Sequence, residues 1–175
     1  AEAKTDIVRR LIDQHGEDQI LVIGQYLDQL EDLAEGLDAP LITGKTKVSE
    51  RQRLFQAFRT GEIRVLVVSK VANFSIDLPQ ARVAIQVSGT FGSRQEEAQR
   101  LGRVLRPKTD GATAHFYTVV TRDTVDADFA AHRQRFLAEQ GESFAARNHF
   151  LPGGGPGSLL LVSGAGVLNS AANAE

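Results

Sequence analysis

Short apolar runs alternate along the chain with segments whose apolar residues recur at helical spacing. Thr5–His15 carries apolar residues three or four positions apart, which predicts a first helix that ends at Gly16. The next run, Gln19–Gly24, is apolar at nearly every position. A run of this kind is typical of a strand that is covered on both faces, as in a parallel sheet.

The same alternation continues to residue 140. Ser49 and Ser93 each precede a Gln or Glu by three residues, a capping-box pattern that predicts a helix start. Further helices are predicted over Asp28–Gly36, from Ser49 to Gly61, from Ser93 to near Pro107 and over Thr124–Gln140. Further strands are predicted over Pro40–Thr43, Ile63–Ser69, Val83–Val87 and Ala114–Val120. This order predicts a three-layer α/β fold, with a mostly parallel sheet of about five strands and helices on both faces.

The character of the chain changes after residue 150. Residues 152–158 read PGGGPGS, a linker-like run, and no charged residue occurs from Pro152 to Ala174. We predict one folded domain over residues 1–150 and a glycine-rich, flexible tail over residues 151–175. The alternative for Leu159–Val162 is a strand that docks on the sheet.

Composition and charge limit the classes of function. A chain of 175 residues fits a single domain, and a net charge of -2 gives no overall basic field, so nucleic-acid contacts would come from local clusters. The chain contains no Cys, which excludes disulfides, thiol catalysis and cysteine-ligated metals. The four His residues show no ligand spacing, and we expect no metal site. They are His15, His115, His132 and His149.

The hydropathy of the chain and its first residue bear on membrane association, cellular location and processing. No apolar run approaches the roughly 20 residues that span a bilayer, so we expect no membrane partner and a cytoplasmic location. The chain begins at Ala1 and contains no Met. We therefore expect a processed chain or a domain cut from a longer protein.

The most informative chemistry lies in the predicted helix that contains Gln95–Arg106. At 100° per residue, Gln99, Arg103 and Arg106 share one face, and apolar residues occupy the other. After an acidic first turn, no acidic residue is interleaved between Gln99 and Arg106, and guanidinium groups suit a phosphate chain. A solvated surface helix is the alternative. The chain has no GxxxxGK[ST] loop for cradling phosphates.

These residues are similar to a known family. The run QRLGRVLR, Gln99–Arg106, resembles motif VI of superfamily two helicases. LVIGQYLDQL resembles their motif IV, and VLVVSKVANFSIDLPQARVAIQVSG resembles motif V, in the family's order. Over Ile20–Phe144 the sequence is most similar to the second motor lobe of XPB-type DNA repair helicases.

The resemblance implies a C-terminal RecA-like lobe of an ATP-dependent DNA helicase or translocase, acting in nucleotide excision repair or transcription-linked DNA opening. Arg103 and Arg106 would be arginine fingers, and Asp77 and Gln99 would contribute to ATP binding. ATP with Mg²⁺ would be held mainly by the N-terminal RecA-like lobe. This chain alone would hold no cofactor and would be inactive, in keeping with the missing phosphate loop.

The resemblance also implies a DNA track at the strand ends. It would use Gly44 and Lys45 after the second strand and Ser69, Lys70 and Asn73 after the third, which would contact phosphates without reading bases. A solvated loop is the alternative for Lys45. The implied partners are DNA, the N-terminal lobe and a repair nuclease, and the implied location in a prokaryote is the nucleoid.

Two other classes of function stay open at this point. One is a non-catalytic module that binds nucleic acid or protein on the same fold, which would have no use for Arg103 and Arg106. The other is a flavodoxin-like or Rossmann small-ligand domain, which would need a glycine-rich turn after the first strand.

Overall fold

The computed structural model describes residues 2–69, 81–87, 114–121, 145–150 and 159–166. Its helices are α1 (Glu2–Gln14), α2 (Leu27–Leu37) and α3 (Val48–Thr60). Its strands are β1 (Ile20–Gly24), β2 (Leu41–Ile42), β3 (Val65–Ser69), β4 (Val83–Gln86), β5 (Ala114–Thr121), β6 (Ala145–Phe150) and β7 (Leu159–Gly166). The predicted helices that begin near Ser93 and Thr124 lie outside these ranges. Within them, no helix is long and apolar enough to cross a bilayer.

One sheet joins all the described strands in the order β2-β3-β1-β4-β5-β7-β6. From β2 to β5 every neighbouring pair is parallel. β7 pairs antiparallel with both β5 and β6. The parallel part consists of the five strands that the apolar runs predict, so the predicted α/β fold with a mostly parallel sheet is confirmed.

Strand β1, the middle strand of the parallel part, is buried on both faces, which explains its continuous apolar sequence. Ile20 and Val22 belong to one core that also contains the buried residues of α1 and α2. Leu21 and Ile23 alternate with them along the strand, so they point to the opposite face, and they are buried as well. Hydrophobic layers therefore lie on both sides of the sheet.

Helix α3 lies on the face opposite α2. The chain passes from β1 through α2 to β2, beyond β3, and then returns through α3 to β3. Because connections between parallel strands are right-handed, a change of direction along the sheet moves the connecting helix to the other face. Leu54, Phe55 and Phe58 of α3 are buried there. Helices thus cover both faces, and the predicted three-layer arrangement is confirmed.

Helix α1 runs along the sheet from the carboxyl ends of the parallel strands to their amino ends. Near its start, Lys4 Nζ donates a hydrogen bond of 2.8 Å to the carbonyl of Val87, just after β4. Near its end, the carbonyl of Ile12 accepts a hydrogen bond of 2.7 Å from Arg64 Nη2, just before β3. Because β3 and β4 are parallel to the same neighbour, α1 links the carboxyl edge of the sheet to its amino edge.

The start of α3 differs from the prediction. Its N-cap is Lys47, which makes no side-chain capping hydrogen bond, so the predicted capping box at Ser49 is wrong. The turn Thr43–Thr46 is closed by its own side-chain hydrogen bonds, so the chain is already directed into the helix before Ser49 is reached. Gly61 ends the helix as predicted, with a φ of 83° that favours glycine.

Strand β7 differs from the predicted flexible tail. Residues 159–166 pair with β5 over eight positions and with β6 over six. The docking strand that the sequence left as an alternative is therefore present over this range. The domain boundary at residue 150 stays a prediction.

Candidate functional site

The carboxyl ends of the parallel strands meet at one edge of the sheet. Gly24, the last residue of β1, is in register with Ser69, the last residue of β3. On the other side of β1, Ile23 is in register with Gln86 at the end of β4. The described ends of these strands therefore share one edge, which is where open parallel sheets bind their ligands.

A compact turn follows β2 at this edge. The Thr43 N–H donates to Thr46 Oγ1 at 2.9 Å, and the Lys45 N–H donates to Thr43 Oγ1 at 3.2 Å. A backbone bond of 3.2 Å from the Thr46 N–H to the Thr43 carbonyl closes the turn. Gly44 and Lys45 are exposed at its tip. We call Thr43–Thr46 the β2 turn.

Arg51 lies beneath the β2 turn. Its side chain is buried, with 8 % of the residue exposed, and its Nη2 donates to the Thr46 carbonyl at 3.5 Å. Its Nε has no hydrogen-bond partner in the described part of the chain. A guanidinium that is mostly withdrawn from water next to an exposed turn raises the local positive potential. This arrangement favours an anion at the turn.

The charges near the β2 turn differ from those on the outer face of α3. On that face, Arg53 is held by two hydrogen bonds to Glu50, which lower the pKa of the Glu50 carboxyl and raise the pKa of Arg53. No described residue pairs with the ammonium groups of Lys45 or Lys47, and both residues are exposed. Positive charge is therefore available to a ligand at the turn and is neutralised further along the helix.

Two large apolar side chains are exposed in the described part of the chain, and both lie at the carboxyl edge. Tyr26, which follows β1, is 56 % exposed, and Val48, which follows the β2 turn, is 61 % exposed. Single exposed apolar residues are common on protein surfaces. Their position beside the lysines gives this edge both apolar and basic contact groups.

The structure locates three of the predicted site residues. Gly44 and Lys45 lie together at the tip of the β2 turn, and Ser69 ends the strand next to β2. Ser69 is only 4 % exposed. The contacts of these residues with DNA stay predictions. The remaining predicted site residues lie outside the described ranges: Lys70, Asn73, Asp77, Gln99, Arg103 and Arg106.

Sequence analysis did not single out Thr43, Thr46 and Arg51. Arg51 precedes Leu54, Phe55 and Phe58 by three, four and seven positions, so it occupies the buried face of α3. An arginine at a core position of an amphipathic helix is the signal that could have identified it. Among the described residues, no group of His, Asp and Glu side chains is arranged to hold a metal ion.

Comparison with known proteins gives consistent matches. The family described as ERCC3/RAD25/XPB C-terminal helicase matches residues 3–151, a range that ends before β7. The protein named DNA 3'-5' helicase XPB from Kineococcus radiotolerans is 71% identical over 142 residues, which are 81% of this chain and 26% of that protein. The protein of the same name from Mycobacterium tuberculosis is 64% identical over 145 residues, which are 83% of this chain and 26% of that protein. The chain thus spans about a quarter of the length of these curated relatives.

Solved structures give the same fold at lower sequence similarity. The C-terminal domain of the DEAD-box protein Dbp5 matches with a TM-score of 0.61 and 18% identity, over 79% of this chain and 81% of that one. The C-terminal part of the Fun30 ATPase domain matches with a TM-score of 0.54 and 23% identity, over 73% of this chain and 44% of that one. These likenesses concern the fold, and they confirm its RecA-like class.

Proposed function

Because the chain belongs to the ERCC3/RAD25/XPB C-terminal helicase family, we propose that it forms the second motor lobe of an ATP-dependent DNA helicase or translocase. The observation that carries the proposal is the family match over residues 3–151, which includes almost all of the described fold. The bacterial relatives are named DNA 3'-5' helicases, and we propose the same polarity for the intact protein. Its work would be DNA repair or transcription-linked DNA opening.

The β2 turn would form part of the DNA track. Lys45 offers an exposed ammonium group, Gly44 allows a phosphate to approach the backbone closely, and Arg51 adds a positive potential from below. Ser69, Lys70 and Asn73 would continue the track after β3. Contacts of these kinds fix the register of a strand and carry no sequence information. The lobe would therefore move along DNA of any sequence.

The ATP site would lie between this lobe and the N-terminal lobe. ATP supplies the energy for movement, and Mg²⁺ would be held mainly by the other lobe. Arg103 and Arg106 would stabilise charge on the phosphoryl oxygens as the terminal phosphate leaves, because a guanidinium fork already in place favours that state. Gln99 and Asp77 would contact the nucleotide. The exposed Tyr26 and Val48 give the carboxyl edge an apolar surface suited to contact with the other lobe.

The chain by itself would be inactive. It has no phosphate-binding loop, so the purified chain of 175 residues should neither hydrolyse ATP nor unwind DNA. A repair nuclease is a further proposed partner, and the proposed location is the cytoplasm, at the nucleoid of a prokaryote.

Steady-state ATP hydrolysis by the intact protein, with DNA saturating, tests the proposal. Arg103→Ala should lower kcat by roughly a thousand- to a hundred-thousand-fold, the contribution of an arginine finger. Arg103→Lys should be nearly as slow, because an ammonium group cannot reproduce the planar fork. Arg10→Ala, on the exposed side of α1, is the control and should leave kcat unchanged. Near-normal turnover in both Arg103 variants would return these arginines to a solvated surface helix, whereas no DNA-stimulated hydrolysis in the unsubstituted intact protein would support a non-catalytic interaction module.

A further inference from the structure

A second group of ionisable side chains lies at the amino edge of the sheet, opposite the β2 turn. They come from the end of α1 and the segment after it, from the residues just before β3 and β4, and from β5. We call them the amino-edge cluster: His15, Asp18, Arg64, Arg82, His115 and Tyr117. None of them belongs to the proposed DNA track or ATP site.

His15 is the centre of the cluster. Its side chain is 7% exposed, and its Nε2 lies 2.6 Å from the Tyr117 hydroxyl, a hydrogen bond between positions 102 residues apart. Its Nδ1 lies 3.7 Å from a carboxylate oxygen of Asp18. The ring centroids of His15 and His115 are 4.8 Å apart. His15 therefore links the C-terminal end of α1 to β5 across the sheet edge.

Arg64 joins the same end of α1 to the sheet. Its Nη2 donates to the Ile12 carbonyl at 2.7 Å, and its Nε donates to the Asp18 carbonyl at 3.2 Å. These two hydrogen bonds fix the Arg64 guanidinium close to the His15 ring. The His115 ring, on β5, also lies close to His15. The end of α1 is thus held by one neutral hydrogen bond to Tyr117 and by a fixed cation.

The charges around the two imidazoles do not balance if both gain a proton. Asp18 is the anion of the amino-edge cluster, and its carboxylate is shared between His15 at 3.7 Å and Arg82 Nη1 at 3.8 Å. Arg64 and Arg82 are already positive. Two imidazolium rings 4.8 Å apart would add two further positive charges within a partly buried space.

We propose that the amino-edge cluster is an acid-sensitive latch, which holds the C-terminal end of α1 on the sheet while both imidazoles are neutral and releases it when they gain protons. The inference does not depend on the proposed motor function. Protonated His15 could still donate to the Tyr117 oxygen, so the hydrogen bond itself survives. Release would follow from the cost of burying the charge and from its repulsion by His115, Arg64 and Arg82.

The direction of the pH effect follows from the folded-state pKa values. Burial, then His115, and to a lesser degree Arg64 lower the pKa of His15 below 6.5, although Asp18 acts in the opposite direction. Burial also lowers the pKa of His115, again against the effect of Asp18. Because the released imidazoles bind protons more readily, the latch is fully stable above about pH 6.5 and weakens as the pH falls towards the folded pKa values. Each proton taken up on release changes the equilibrium by up to about tenfold per pH unit.

Hydrogen exchange of the 175-residue chain at pH 5.5 and 7.5, corrected for the intrinsic pH dependence of exchange, tests the latch. The amides of Leu11 and Ile12 in α1 should lose protection at the lower pH by more than those of Val22 and Val67 in the central strands. NMR titration should give pKa values below 6.5 for both His15 and His115. Equal loss of protection in α1 and the central strands would overturn the proposal.

Variants of the two imidazoles provide the matched comparison. His115→Gln removes the neighbouring imidazole and should raise the pKa of His15 and reduce the acid-induced loss of α1 protection. His15→Gln keeps a polar group on α1 and should make α1 protection nearly independent of pH in this range. Asp6→Asn, at an exposed position on α1, is the control and should retain the full pH effect. Persistence of the full effect in both His variants would also overturn the latch.

Discussion

Thr43 and Thr46 are hydrogen-bonded to each other in both directions, with the Thr43 N–H on Thr46 Oγ1 at 2.9 Å and the Thr46 N–H on the Thr43 carbonyl at 3.2 Å. The two bonds fix the backbone that presents Gly44 and Lys45. This relationship turns a short polar loop into a rigid projection from the carboxyl edge. A rigid projection binds a phosphate without the entropic cost of being ordered on contact.

Thr46→Val should loosen the β2 turn while keeping the shape of the side chain. The substitution removes the acceptor of the Thr43 N–H. We expect the loss of this hydrogen bond to destabilise the ordered conformation of the turn by about 1 kcal/mol. An affinity for DNA that falls about fivefold in the intact protein would match that energy. Thr60→Val, which removes a hydroxyl bonded to the Ala57 carbonyl at the far end of α3, is the control. Equal effects of the two variants would contradict a specific role for the turn.

Lys45→Ala should weaken DNA binding equally for different sequences. A lysine that meets a phosphate contributes charge, so the slope of log affinity against log salt should become shallower by about one. Binding of the intact protein to two duplexes of unrelated sequence, measured over a series of salt concentrations, checks both expectations. Arg59→Ala, in the last turn of α3, is the control and should leave the slope unchanged. A Lys45 variant with an unchanged slope would show that Lys45 belongs to a solvated loop.

Arg51→Met should separate stability from DNA binding. Methionine fills a similar volume and removes a buried guanidinium whose Nε has no partner among the described residues, so the free energy of unfolding should change by less than about 1 kcal/mol. The affinity of the intact protein for DNA should fall, because the positive potential below the β2 turn is lost. A normal affinity would mean that Arg51 does not act on the site.

The control for the Arg51 experiment is a core substitution on the same helix. Phe58 is fully buried, and Phe58→Ala should destabilise the chain by about 3–5 kcal/mol. This variant shows that a melting curve detects damage to the packing of α3. A comparable loss in Arg51→Met would contradict the expected separation.

The extent to which the sequence predicted the structure depended on how local the controlling interactions are. β1 and β3 were predictable because strands that are buried on both faces are apolar at successive positions. The start of α3 was not, because the turn closed by Thr43 and Thr46 directs the chain into the helix before Ser49 is reached. The C-terminal end of α3 was predictable from Gly61, whose positive φ is a backbone requirement.

The parts of the site that depend on tertiary neighbours were harder to predict from the sequence. Gly44 and Lys45 could be placed at the carboxyl edge because they follow a predicted parallel strand. The burial of Arg51 depends on how α3 packs, and helical spacing alone does not state which polar residue is enclosed. The contact of His15 with Tyr117 joins positions 102 residues apart and depends on the order β1-β4-β5 in the sheet. The spacing of residues along the chain does not predict that strand order.

Truncation after Leu151 should lower the melting temperature of the chain. It removes β7, which pairs with β5 over eight positions and with β6 over six, so the outer edge of β5 and the whole of β6 would lose their backbone partners. For a chain of this size, about 1 kcal/mol corresponds to roughly 2–4 °C, and we expect a fall of more than about 4 °C. Truncation after Val167 keeps all of β7 and should leave the melting temperature unchanged. The family match ends at residue 151, so β7 adds to the sheet outside the range shared with the family. An unchanged melting temperature after truncation at Leu151 would instead mean that residues 152–175 behave as the flexible tail that their composition predicts.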